Sequence, residues 1–215
     1  RLTDVTGVQT CALPICTCYM NYTTWNGRSD SLFIATSRDL VHWTKHGPAF
    51  AKAGRTDGRS GVVVSTRVGD RLIPAQVNGR YWMYSTHPCA LAWSTNLVDW
   101  TPTGETVWPG GGREAGAIAL LGDDGILLMT QGGHHRLGAW VLRQTLVSRD
   151  DLFTILKDQP EPFLYPEYEW EKRGFVDFTT VAHTLVPFKG RWWLYYGAAD
   201  RCIGLATFTL PTHAP

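Results

Sequence analysis

The sequence is short of the features that mark a nucleic-acid or membrane partner. Its 20 Lys and Arg and 19 Asp and Glu are interspersed and leave a net charge of +1. No basic stripe points to nucleic acid, and no acidic tail points to a solvating region. No apolar run approaches membrane-spanning length. No long segment carries a 3.6-residue apolar period, which argues against a helical domain. Cysteine is scarce, at positions 11, 16, 18, 89 and 202. The Cys16-Thr-Cys18 spacing is not a zinc pattern, and no His pair sits at matching distance, so no metal is expected. Cys89 and Cys202 read as isolated buried thiols rather than a disulfide. These cysteines do not fix a compartment.

What remains is a single-domain length of 215 residues, 44% hydrophobic, with ten Trp and eight Tyr. That is enough apolar content for a core, and the aromatics suit both strands and sugar faces. The opening is a separate matter. Val5-Thr-Gly-Val-Gln-Thr-Cys-Ala-Leu-Pro-Ile15 resembles the in-frame translation of a common sequencing-adapter oligonucleotide. Residues 1–16 are therefore read as a non-native tail. Residues 17–215 are read as the domain, incomplete at its N-terminus.

Internal repeats give the architecture. Ile34-Ala-Thr-Ser37-Arg-Asp39-Leu40-Val-His-Trp43 is echoed by Leu91-Ala-Trp-Ser94-Thr-Asn96-Leu97-Val-Asp-Trp100. Weaker echoes are Leu146-Val-Ser148-Arg-Asp150-Asp-Leu152 and Ile203-Gly-Leu205-Ala206-Thr207. Between them lie short aromatic runs: Tyr19–Trp25, Arg80–Tyr84 and Arg191–Tyr196. Asn26-Gly27, Asn78-Gly79, Asp124-Gly125 and Lys189-Gly190 punctuate the runs as hairpin turns. Four sheet-like units stacked radially follow, an all-β partial β-propeller. Ser37 and Asp39 are expected to fix a turn, and Leu40 and Trp43 to pack between units. That makes Asp39 and His42 scaffold rather than catalytic groups.

Several segments resemble glycoside hydrolase family 130, the mannoside phosphorylases and β-mannosidases. They are Gly174-Phe-Val-Asp177, the run Leu185 to Asp200 ending Tyr-Tyr-Gly-Ala-Ala-Asp, and Ile203-Gly-Leu-Ala206. Arg59-Ser60-Gly61 with Val77-Asn-Gly-Arg-Tyr-Trp-Met-Tyr84 is similar to a second family segment, with Arg for Lys. Glu114-Ala-Gly116 before Asp123-Asp-Gly-Ile-Leu-Leu128 is similar to a third. The resemblance implies a five-bladed propeller, about four blades of it present, with an oligosaccharide site at its centre. The family's Glu-Asp-Pro-Arg motif is missing, and the general acid is expected near it. Glu114-Ala-Gly116 lacks its following Pro, and Thr130-Gln131-Gly132 replaces a Tyr-Asn/His-Gly.

Inverting cleavage of a glycoside needs a proton donor on one side of the sugar. It needs activated water, or phosphate held by cations, on the other. Glu114 follows a Gly-rich run and reads either as a general base or hydroxyl acceptor, or as a solvated rim carboxylate. Asp200 reads as a sugar-hydroxyl binder by family analogy, or as a turn cap. In His134-His135-Arg136, alternation sends the two rings opposite ways, one of them toward sugar or phosphate. Arg59 reads as a contact to an anion or hydroxyl, or as a surface Arg. Asp177 reads as a substrate contact and Tyr196 as a sugar platform, while His183 reads as a strand histidine. Glu167, Glu169 and Glu171 read as solvated. The family's phosphate-site Lys is missing, which favours hydrolysis; otherwise inorganic phosphate is the co-substrate, and no cofactor is required. The alternatives are an arabinan- or xylan-active propeller, or a non-catalytic sugar-binding one.

Overall fold

The computed structural model describes residues 3–4, 8–9, 17–85, 89–108 and 112–209. Nearly all of the regular structure is strand. The first unit holds β3 (Cys18–Trp25), β4 (Asp30–Ser37) and β5 (Trp43–Pro48). Two short strands, β1 (Thr3–Asp4) and β2 (Val8–Gln9), pair along the edge of β3 opposite β4. The rest of the expected non-native tail lies outside the described residues, as do Cys11 and Cys16.

The second unit holds β6 (Val62–Val68), β7 (Arg71–Pro74), β8 (Gln76–Val77), β9 (Arg80–Ser85), β10 (Ala90–Ser94) and β11 (Thr101–Thr106). Its order is β6-β9-β10-β11, with β7 on β6 and β8 on β9. The third unit runs β12 (Glu114–Leu121), β13 (Ile126–His134), β14 (Ala139–Val147) and β15 (Ile155–Asp158) in sequence order. A single-turn helix α1 (Glu169–Lys172) leads to the fourth, β16 (Thr180–Phe188), β17 (Arg191–Ala198) and β18 (Cys202–Phe208). Neighbours within each unit's main path are antiparallel. The first strands of units two and three also pair in parallel, Ala119 with Val64.

Local chemistry explains these elements. β-branched and aromatic residues fill the strands, and tight turns reverse them. Asn78 and Gly79 both take positive φ, 52° and 74°, which matches strand twist in a two-residue hairpin. Lys189-Gly190 repeats the geometry.

The serine repeat is a structural device three times over. The Ser37, Ser94 and Ser148 hydroxyls each accept from the backbone N–H groups two and three residues on. Asp39 and Asn96 then accept from the next two N–H groups in the first two copies. The carboxylate of Asp39 is thereby committed to the turn, with the His42 ring 2.8 Å away. Trp43 and Trp100 donate their indole N–H to Leu40 and Leu97. Those leucines share a φ near 65°.

Three apolar cores lie where consecutive units face each other. Leu32, Ile34, Ala49 and Phe50 of the first meet Val63, Met83, Leu97 and Trp100 of the second. Val62, Val64, Tyr84 and Leu91 meet Ala119, Ile126, Leu128 and Leu152 of the third. Ile118, Met129 and Leu142 meet Ala182, Leu185, Trp192 and Leu194 of the fourth. Each inner sheet therefore buries both faces. The packing expected of Leu40 and Trp43 is found at their counterparts Leu97 and Trp100; Trp43 is only half-buried and Leu40 itself is 57% exposed. Its side of the first unit has no described unit against it. Cys89 is a buried free thiol whose pKa burial pushes up, and Cys18 is buried as well. Cys202 is free too, but only half-buried.

The two equivalent tryptophans thus have unequal environments. Trp100→Ala should cost about 3–5 kcal/mol by opening a core cavity. Trp43→Ala should cost less than half as much. Urea denaturation of both variants measures the difference; equal losses would contradict the unequal burial.

Candidate active site

The strand directions collect the chemistry at one end of the sheets. β12 and β16 begin there, the loop of Arg59 to Gly61 enters β6 there, and the β3–β4, β13–β14 and β17–β18 hairpins turn there. Arg59, Glu114, His134, Asp177, Tyr196 and Asp200 all fall toward this end.

Glu114 is the centre of the most connected group. It opens β12 and is 2% exposed. Arg59 donates to its Oε1. Ser60 donates its hydroxyl to Oε2 at 3.0 Å, and the Gln131 amide approaches Oε2 at 3.4 Å. Gln131 stands directly across from Glu114 in the β12–β13 register, so both side chains share a face. Its carbonyl accepts from the Ala182 N–H of β16 at 2.9 Å. Arg59 also reaches Asp30 at 3.3 Å, and the Ser60 N–H donates to Thr23. All four units therefore send a group to this cluster. Burial acts to lower the Arg59 pKa, but the Glu114 and Asp30 carboxylates outweigh it and raise it above the ordinary guanidinium value. A buried carboxylate fixed in this way can accept a sugar hydroxyl or a water proton with little reorganisation. The rim reading of Glu114 does not hold; Gly110 and Gly111 lie outside the described residues.

The other expected site residues are held differently. His134 is three positions from Gln131 on β13, which puts its side chain on the opposite face. It is buried, and its Nδ1 accepts from the Leu137 N–H at 3.3 Å. The rings of His134 and His135 do not diverge as alternation predicts. The strand ends at His134, and the turn stacks them 5.7 Å apart. His134, Arg136, Leu137, Glu161, Pro162 and Tyr165 line an open hollow of about 460 Å³. Arg136 is paired there with Glu161.

Asp177 closes its own loop, accepting from the Gly174 N–H at 3.1 Å and from Arg173 at 2.8 Å. Those bonds hold its carboxyl below the usual range. Asp200 sits in the β17–β18 turn, where Ala199 and Asp200 both take φ of 49°. An Ala there is strained, by about 1 kcal/mol. The loop before β16 holds it: the Ala199 carbonyl accepts from Phe175 and Val176, and its N–H donates to Thr179. Gly174 is required in that loop, since a Cβ would lie 2.1 Å from the Ala199 oxygen. Asp200 is presented to solvent on this anchored turn.

Tyr196 is 5% exposed, too covered to serve as an open platform as it stands. Its hydroxyl donates to Glu171 at 2.7 Å. Burial first, then Glu171, pushes the phenol up. Glu171 corrects the sequence reading, being 3% exposed rather than solvated. Sequence reasoning also left Thr23, Asp30, Ser60 and Gln131 out of the site. Ser60 had a signal, its place beside Arg59; Gln131 becomes visible only in the strand register. Among the described residues, no group of three His, Cys, Asp or Glu can hold a metal ion.

A family model described as beta-1,4-mannooligosaccharide phosphorylase matches residues 16–212. The chain belongs to glycoside hydrolase family 130. It is 28% identical over 205 residues to a 1,2-beta-oligomannan phosphorylase of Thermoanaerobacter sp., covering 87% of this chain and 62% of that relative. It superposes on a glycosyl hydrolase from Bacteroides ovatus with TM-score 0.86 and 29% identity, over 97% of this chain and 65% of that one. A further match bears on family 130 glycoside hydrolases that target β-1,2-mannosidic linkages in Candida mannan. Its TM-score is 0.87 and its identity 31%, over 96% of this chain and 66% of the other. The chain thus spans less than two thirds of the length of that Thermoanaerobacter relative.

The Arg59–Glu114 contact makes a direct prediction. A double-mutant cycle of Arg59→Ala and Glu114→Gln should give a coupling energy above about 1 kcal/mol. Chemical denaturation of the four proteins supplies it, and additive losses would remove the pair from the site.

Proposed function

We propose that this chain forms about four blades of a five-bladed β-propeller that cleaves β-mannosidic bonds with inversion. The serine turn repeated in the first three units and the cores between consecutive units support the propeller. β6 and β12 open units two and three and pair with each other in parallel. In unit one the corresponding edge of β3 carries only β1 and β2.

The observation that carries the function is the buried Glu114 cluster in a family 130 chain. Glu114 is the proposed general base, and Arg59 and Ser60 hold its two oxygens. His134, Asp177 and Asp200 are proposed as substrate contacts at the same end, on three separate loops. Tyr196 is proposed to act from beneath the sugar site rather than on its surface. Hydrolysis is favoured over phosphorolysis. Of the cations available for phosphate, Arg59 already faces two carboxylates and Arg136 faces Glu161. Phosphorolysis is the second reading, favoured by the family model and the Thermoanaerobacter relative.

Kinetics on β-1,2-mannobiose with and without inorganic phosphate separates them, using the protein extended upstream to the length of its relatives. Mannose release that ignores phosphate is the expected result. Phosphate-dependent release of mannose 1-phosphate would establish phosphorolysis instead. In the same protein Glu114→Gln should lower turnover at least about a hundredfold, the lower end for loss of general-base catalysis. Wild-type turnover in that variant would remove Glu114 from the mechanism.

Residues 1–15 are proposed to be a non-native tail whose pairing with β3 adds little stability. Their deletion should leave Tm within about 2 °C; a 1 kcal/mol loss at this length shifts it by roughly that much or more. A fall of several degrees would make them part of the fold.

A further inference from the structure

One buried carboxylate has no part in the chemistry above. Glu171 is 3% exposed and takes three donors. The backbone N–H groups of Glu167 and Tyr168 donate to Oε2 at 2.7 and 2.8 Å. The Tyr196 hydroxyl donates to Oε1 at 2.7 Å. The turn from Glu167 to Lys172 is thereby fastened to β17.

On the solvent side of that anchor are two large aromatics. Tyr168 is 63% exposed and Trp170 is 42% exposed. Their rings are parallel within 7°, with centroids 6.1 Å apart. Beneath Trp170 lies the Tyr196 ring at 6.3 Å. Single exposed aromatics are ordinary, but a stacked pair fixed by a buried charge is not. Burying a carboxylate is costly, and here it orients groups that face water.

The anchor is linked to the Glu114 cluster through β16 and β17. Tyr196 is the cross-strand partner of Ala182, whose N–H bonds Gln131, which in turn reaches Glu114. Anchor and catalytic carboxylate are therefore a few bonds apart at one end of the sheets. We propose that Tyr168 and Trp170 form a platform for a further sugar ring of the mannoside chain, beyond the ring at Glu114. Glu171 and Tyr196 are its positioning residues. The apolar C–H face of a pyranose ring matches an aromatic face, and a rigid platform binds without an ordering cost. The inference rests on the mannoside reading for the identity of its ligand.

Calorimetric titration of this chain with β-1,2-mannobiose and β-1,2-mannotetraose tests it. The wild type should bind the tetraose about tenfold more tightly than the biose. Trp170→Ala and Tyr168→Ala, both at exposed positions, should erase that advantage and leave biose binding unchanged. Trp170→Phe should restore part of it. Tyr196→Phe and Glu171→Gln should reduce it through loss of the anchor. Equal affinity of the wild type for the two sugars would overturn the platform while leaving the mannoside reading intact. So would a tetraose advantage that survives Trp170→Ala. No binding of either sugar would overturn both readings. A dimer that Trp170→Ala dissociates, with tetraose affinity unchanged, would assign the surface to a second copy of the chain instead.

Discussion

Keeping the charge of Glu114 away from water is the constraint that the rest of the arrangement answers. A carboxylate in that position is tolerable only with donors on both oxygens. The donors are Arg59 and Ser60 from the loop entering β6 and Gln131 from β13. Arg59 leans on Asp30 in the first unit, and Gln131 is braced by Ala182 in the fourth. A shift of any unit would leave one of these groups without its partner in a low-dielectric setting, where the loss is largest. The cluster therefore reports on the register of the whole chain as well as on chemistry.

That register is set by the cores between units. A sheet with two apolar faces needs a neighbour on each, and consecutive units supply them. The serine turns fix where β4 and β10 stop and which way the chain leaves them. In the second unit the result drives Leu97 and Trp100 into the core shared with the first. Stacking by repeated interfaces also explains why chemistry gathers at one end. β12 and β16 start, and the β3–β4, β13–β14 and β17–β18 hairpins turn, on the same side.

Two polar arrangements at that end divide the work. The Glu114 cluster is charged and cross-unit, and is the site proposed for bond cleavage. The Glu171 anchor is local to the fourth unit and holds aromatic surface. Ala182 and Tyr196, facing each other across β16 and β17, join the two.

The sequence alone determined what depends on near neighbours in the chain. Strand alternation, the Asn-Gly turn and the serine turn are local, since their bonds span only two or three residues. The repeats therefore exposed the all-β character and the scaffold role of Asp39 directly. The motif around Glu114 and the Arg59-Ser60-Gly61 segment pointed to two partners of the cluster. Only the tertiary structure decided the rest, because it depends on which distant strands align. Gln131 became a partner of Glu114 through a cross-strand register invisible in either segment. Glu171 was read as solvated from a charged, Pro-flanked loop, yet the Tyr196 hydroxyl arriving from β17 gave its carboxylate a buried partner. Leu40 and Leu97 sit in near-identical motifs and differ in exposure for one reason: a preceding unit packs against the second copy, and none of the described residues packs so against the first.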